Sequence, residues 1–211
     1  MSSIALGRAY QRSFETHPHF TLAIAGGTLT ALGDVVAQTS QRLLADEKDR
    51  HPHEYDVLRT TRFFLFGAGV SPVIGRWNKF LEARFPLRLI NGSGQAGRVS
   101  FRALAKRVAA DQIIMAPIGL TLFLGSMGIM EGRDRSHIAE KFRQLYWPAL
   151  KTNWQVWPAA QFMNFRFMPL PYRVPFQQTC GVFWTLYLSI LNSKEEARAA
   201  LDDANARTVN L

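Results

Sequence analysis

The sequence predicts an all-α fold: a transmembrane bundle of four to five membrane helices, with interfacial and terminal helices attached. Three observations predict it. Charge-free runs cover Thr16–Gly33, Gln112–Met130 and Val174–Ser193, 18, 19 and 20 residues long, close to the ~20 that a helix needs to cross a bilayer. Two shorter runs, Phe63–Gly75 and Thr152–Phe165, of 13 and 14 residues, can cross only if flanking charges snorkel to the interface. Finally, the polar residues in and beside these runs are amides and a few carboxylates at helical spacing. That pattern is unusual in a water-soluble core and ordinary inside a membrane bundle. The mean hydropathy of −0.06 decides nothing, because polar connectors dilute the apolar runs.

A chain of 211 residues is read as a single integral membrane domain. Within it, 1–15 forms an amphipathic N-terminal segment, 41–56 a polar loop and 194–211 a polar tail. The net charge of +9 is concentrated: Arg76, Lys79, Arg84, Arg88, Arg98, Arg102, Lys106 and Arg107 face a single acid, Glu82. This is a juxtamembrane pattern, which marks the side that keeps its positive loops. It predicts membrane lipid as a partner, with an anionic lipid such as cardiolipin at the basic 76–107 segment. The basic residues form no long stripe with interleaved polar contacts, so nucleic acid is not an expected partner.

Taken in order, residues 1–14 carry Arg8 and Arg12 but no acid. This suits either a mitochondrial targeting helix or a helix lying at the interface. The first span, about 19–38, has small residues at Ala23, Gly27 and Ala31, the spacing that lets helices approach closely. Asp34 enters near its end, with Gln38 one turn on. A carboxylate there either looks into the bundle or sits solvated at the interface. A second helix, from about Tyr55 to Phe80, repeats the small-residue spacing at Gly67, Ser71 and Gly75; Pro72 would kink it and Trp77 fits an interfacial anchor. Gly92, Gly94 and Gly97 satisfy a dinucleotide-loop spacing. They lack the preceding strand and the acid about 20 residues on that the mechanism needs, so they read as a loop.

The third long helix, about 99–130, turns from basic to apolar at Asp111-Gln112, with Arg107 one turn earlier as the expected ion-pair partner of Asp111. Pro117 frees a backbone carbonyl one turn back, near Ile113. Gly132 stops this helix, and a mixed-charge helix follows that should end near Trp147-Pro148. Then comes an apolar hairpin whose turn, Arg166–Arg173, holds two prolines and two arginines. Trp157, Gln161 and Asn164 stack on one face of its first arm. Cys180 is the only cysteine and reads as a small buried residue. His17/His19, His51/His53 and His137 have no acidic ligand pattern around them, so no metal is expected. No nucleophile–base pair stands out either, so the chain is not expected to be an enzyme, and no cofactor is implied.

The hairpin also carries a likeness. Asn153, Trp157-Pro158, Gln161, Asn164-Phe165, Pro169, Arg173, Trp184 and Tyr187-Leu188-Ser189 resemble the membrane-protein family of the twenty-two-kilodalton peroxisomal membrane protein, which includes mitochondrial Mpv-seventeen-like and Sym-one-like members. The likeness extends to Arg8, Tyr10, His17-Pro18, Gly33-Asp34 and Gln38, to Pro72, Gly75 and Trp77, and to Asp111-Gln112 with Ala116-Pro117. Ser71 departs from it, standing where a glycine often precedes the proline, and the Arg42–Tyr55 loop is long.

The resemblance implies an integral protein of the mitochondrial inner membrane or the peroxisomal membrane, generally drawn with four spans and without catalytic activity. Some members are reported to form weakly selective channels for small solutes. The expectation is then a metabolite channel supporting mitochondrial homeostasis. Asp34, Gln38, Asp111, Gln112, Gln161, Asn164 and Arg173 would form its polar lining or interhelical polar contacts. Pro117, Trp157, Pro158, Phe165, Pro169 and Trp184 would be structural, and a homo-oligomer is compatible. In the alternative, the same residues hydrogen-bond between helices of a non-conducting scaffold. The acid-free N-terminus, and a C-terminus that is not a peroxisomal address, favour mitochondria.

Overall fold

The computed structural model describes residues 3–44, 55–88 and 99–187. The Gly92–Gly97 motif, most of the 41–56 loop, His51 and His53, and the 194–211 tail lie outside them. Among the described residues every element is helical: α1 (Ser3–Thr16), α2 (Pro18–Leu44), α3 (Val57–Arg84), α4 (Phe101–Ala110), a π-helical turn (Asp111–Met115), α5 (Ala116–Met130), α6 (Arg135–Phe167), a 3-10 turn (Leu170–Tyr172) and α7 (residues 173–187).

Local chemistry sets the helix ends. The side chains of Asp56, Ser100 and Asp134 accept from the backbone N–H of Arg59, Ala103 and His137, which caps α3, α4 and α6 at their N-termini. Gly132 adopts φ +69°, and the following Arg133 N–H returns to the Gly128 carbonyl at 3.0 Å. This left-handed turn stops α5 as expected.

Helices α2 and α3 pack antiparallel, and around Gly26 and Gly67 almost no side chain lies between them. A Cβ on Gly26 would overlap the Ser71 side chain, and one on Gly67 would come within 2.7 Å of the Gly26 carbonyl. Gly67, Ser71 and Gly75 make the contact face of α3, as their spacing predicts. On α2 the face is rotated from the expected Ala23/Gly27/Ala31 to Gly26, Gly27 and Thr30. The pair of adjacent glycines gives the closest backbone approach, and that decides the rotation.

A second antiparallel pair is formed by α6 against the continuous α4–π–α5 rod. Ile138 meets Gly128 at one end, and Phe165 packs with Leu104 and Leu81 at the other. The expected break at Trp147-Pro148 is absent: α6 runs unbroken for 33 residues through Pro148 and Pro158. Pro148 is exposed, and here the proline costs one backbone bond without ending the helix.

Burial is inverted relative to a soluble protein. Asp34, Gln38, Asn78, Arg107, Asp111, Gln112, Gln161, Asn164 and Arg173 are buried, whereas Phe20, Ile24, Leu65, Phe80, Ile113, Ile129, Met163 and Phe183 are exposed. An outer surface of this kind suits hydrocarbon. Two helical stretches, Pro18–Leu43 and Phe101–Met130, have both the length and the mean hydropathy (1.5 and 2.0) to cross a bilayer. Helices α3 and α6 have the length, with 28 and 33 residues, but more charge.

Candidate functional site

The site is organised by Pro117. A proline has no N–H, so in an α-helix it would leave the carbonyl four residues back, Ile113, without a partner. The chain shifts register instead. Over Asp111–Met115 the bonds run i→i+5, with the Ala116 N–H on the Asp111 carbonyl. In that register the carbonyl facing Pro117 belongs to Gln112, not Ile113. Trp154 of α6 donates its indole N–H to it at 2.9 Å. The extra residue in the π turn coincides with the inward placement of both Asp111 and Gln112, which are buried, while Ile113 is exposed. Such bulges recur at functional positions.

Three N–H donors converge on the Asp111 carboxylate. Trp77 Nε1 reaches Oδ1 at 3.0 Å, while Gln161 Nε2 and Gln112 Nε2 reach Oδ2 at 2.7 and 3.0 Å. One expectation changes here. Arg107 does not pair with Asp111; its Nε donates to the Phe85 carbonyl at 2.8 Å. Trp77, read as an interfacial anchor, is also a donor to this carboxylate. Its role was not visible in the sequence because 34 residues separate it from Asp111.

The amide face of α6 continues the network. Asn164 Nδ2 donates to Gln161 Oε1 at 2.9 Å and to the Arg173 carbonyl at 3.2 Å. Arg173 is 4% exposed. It donates from Nε to the Met168 carbonyl and from Nη1 to Glu82 at 2.9 Å. Asp111, Gln112, Gln161, Asn164 and Arg173 are thus brought into one string. Phe165 packs beneath it, with the Arg173 guanidinium 5.9 Å from its ring centre. Pro169 precedes the 3-10 turn that delivers Arg173. At the same end, Tyr10 donates to the Pro171 carbonyl at 2.7 Å, tying α1 to the turn. Burial, with Tyr172 beside it, pushes the Tyr10 hydroxyl up to about 12.

Asp34 and Gln38 belong to a separate cluster, between α2 and α3. Asp34, 1% exposed, faces inward and is not simply solvated. Its Oδ1 lies 2.8 Å from Arg59 Nε, and Oδ2 accepts from Gln38 and Thr60 at 2.8 and 2.7 Å. Gln38 Oε1 accepts from the Asp56 N–H at 2.9 Å.

Beside Asp111 lies a cavity of about 320 Å³ bounded by α3, the π turn, α5, α6 and α7. Its polar walls are Asp111, Gln112, Asn153, Gln161, Gln177 and Gln178, and Trp157 and Trp184 close its sides. Asn153, Gln177 and Gln178 were not singled out as site residues, although all three are amides inside apolar runs, which was the available signal. Gln112, Asn153 and Gln177 each keep a buried side-chain oxygen without a partner among the described residues. Pro158 is half-buried on α6, one residue beyond the lining Trp157. Among the described residues no group of three or more His, Cys, Asp or Glu could hold a metal ion.

An inverted helical bundle with a polar interior defines a membrane protein. The profile of the Mpv17 / PMP22 family matches residues 128–189, the stretch that supplies α6, Arg173 and the α6–α7 side of the cavity wall. Over longer spans the chain is 37% identical to protein sym-1 of Neurospora crassa, across 88% of this chain and 98% of that one. It is 35% identical to protein SYM1 of Saccharomyces cerevisiae, across 88% and 89%, and 33% identical to protein sym1 of Schizosaccharomyces pombe, across 87% and 89%. The chain belongs to the Mpv17 / PMP22 family of organellar membrane proteins. No solved structure matches it.

Proposed function

We propose that this protein is a weakly selective channel for small polar solutes, acting without catalysis. The observation that carries this reading is the cavity beside Asp111. A space of about 320 Å³ holds on the order of ten waters at ~30 Å³ each. Its walls bear six polar side chains at the level of a π turn, inside a bundle whose outer surface is apolar. Polar groups at that depth are costly in a membrane and tend to mark solute pathways. In this reading α2, α3, α4–α5, α6 and α7 all cross, the upper end of four to five spans, since neighbours in sequence run antiparallel. Tyr10, Arg107 and Arg173 then share one face and Gln38, Glu131 and Lys141 the other. The basic 76–107 segment lies on the first face, where we expect anionic lipid such as cardiolipin. We place the protein in the mitochondrial inner membrane, with the peroxisomal membrane as the alternative, and regard assembly of several copies as compatible with conduction.

One observation favours a non-conducting scaffold instead: Asp111 is already satisfied by three donors, as a purely structural carboxylate would be. Single-channel recording of the purified protein in a planar bilayer, with Asp111→Asn alongside, separates the two. Discrete openings whose cation/anion preference shifts in the variant are expected. A silent bilayer from folded protein would leave the scaffold.

A further inference from the structure

We infer that a second cavity, at the opposite end from Arg173, is a binding vestibule for small oxyanions of the phosphate or dicarboxylate class. The inference rests on the channel reading for its role in transport, but not for binding. The cavity measures about 490 Å³ and lies between the start of α3 and the α5–α6 turn, within the ~300–1,000 Å³ of ordinary small-molecule sites. Four cations line it, Arg59, Arg62, Arg133 and Lys141, against Asp56 and Glu131.

Two of these six are committed elsewhere. Arg59 is paired with Asp34 at 2.8 Å, and Asp56 caps α3 through the Arg59 N–H at 2.8 Å. Three cations therefore remain around a single carboxylate. Glu131 Oε2 takes Lys141 Nζ at 3.0 Å, and Arg133 Nε lies 3.6 Å away. Arg62 has no ion-pair partner among the described residues and acts on Glu131 only through space. Glu131 thus occupies the position that an anionic ligand would take, and among the described residues it leaves two positive charges uncompensated. Guanidinium groups suit oxyanions because their planar donors match the geometry of phosphate and carboxylate.

The same chemistry could come from a lipid headgroup, but all but two of the lining residues are charged. That offers acyl chains little wall, so a free solute is the occupant.

The test uses the full chain in detergent, with inorganic phosphate as the probe and chloride at equal ionic strength as control. Phosphate is expected to raise the melting temperature in a saturable way. Arg62→Gln with Arg133→Gln should abolish that shift. Glu131→Gln should tighten apparent phosphate affinity about fivefold to tenfold, since it removes a like charge from the site. A shift unchanged in the double variant, or weaker binding in Glu131→Gln, would overturn the site. So would stabilisation by phosphatidic acid in nanodiscs without any by inorganic phosphate.

Reversal potentials in a phosphate gradient separate this inference from the channel itself. A silent bilayer with phosphate binding intact would remove the channel and leave the site. Conduction without phosphate binding, insensitive to these substitutions, would remove the site and leave the channel.

Discussion

Trp154 donates its indole N–H to the Gln112 carbonyl at 2.9 Å, the one acceptor that the π register leaves facing Pro117. A tryptophan on α6 thereby completes the backbone of α4–α5 at the point where a proline breaks it. In a bilayer this matters more than in water, because no solvent can supply the missing donor.

The two residues should therefore be energetically coupled. Trp154→Phe keeps the ring and loses the donor, and is expected to cost about 1–3 kcal/mol. In a Pro117→Ala background, residue 117 has its own N–H and the cost should shrink by half or more. A double-mutant cycle, read by chemical unfolding in detergent, checks this. Equal costs in both backgrounds would mean that the indole bond is incidental.

Gln161 links two networks, donating to Asp111 and accepting from Asn164. Gln161→Leu leaves a buried carboxylate short of one donor and an amide short of one acceptor. We expect a loss of about 2–4 kcal/mol, larger than for Gln178→Leu, whose single bond to Ser71 is 3.3 Å long. The same unfolding measurement on both variants tests the ranking.

Close approach of α2 and α3 makes a steric prediction with an internal control. Gly67→Val drives a side chain into Thr30 and the Gly26 carbonyl, whereas nothing lies within 4 Å of a Cβ at Gly69. The first should destabilise the pair by about 1–3 kcal/mol or more. Gly69→Val should stay within roughly 0.5 kcal/mol. If the two shift the melting temperature equally, the helices do not pack as described.

Phe123 joins the linings of the two cavities. It lines the central one and meets Phe66 and Phe63 edge-on, with ring centres 5.2 and 5.8 Å apart; Phe63 in turn lines the basic vestibule. A ring cluster at this point would restrict passage by excluding water. On the channel reading, Phe123→Ala should raise open probability or leak conductance severalfold, whereas Phe142→Ala should not. A Phe123→Ala conductance equal to that of the parent would remove the gate.

The α5–α6 turn should carry an acid-sensitive element. Its bond to Lys141, with Arg133 and Arg62 nearby, holds Glu131 below its ordinary value of 4.5. A carboxyl whose pKa is lower in the folded state stabilises the fold above its unfolded value. That contribution disappears as pH falls through the folded value. Melting temperature should therefore drop below about pH 4.5 less steeply in Glu131→Gln than in the parent, and the two curves should run parallel above pH 6. A parallel course throughout would show that Glu131 makes no net contribution.

Much of this protein was determined by the sequence alone. Uncharged runs locate apolar helices, Gly132 ends α5, and the spacing of Trp157, Gln161 and Asn164 fixes one amide face. Hydrophobic periodicity acts within a helix, so such features need no partner to be read. What only the tertiary structure decided is how helices are rotated and set in height against one another. Trp77 and Gln161 stand 34 and 50 residues from Asp111, and nothing local to either names the carboxylate they share. The break expected at Pro148 is absent, since one proline removes a single bond from a helix that packs against both α4 and α5. The ion pair expected between Arg107 and Asp111 gave way to neutral donors: the Phe85 carbonyl, 22 residues away, takes the Arg107 Nε–H, and Trp77, Gln112 and Gln161 take the carboxylate. The single register shift opposite Pro117 sets where both Asp111 and Gln112 point. It answers a missing N–H in the sequence, and the carbonyl it leaves over is met by an indole 42 residues away.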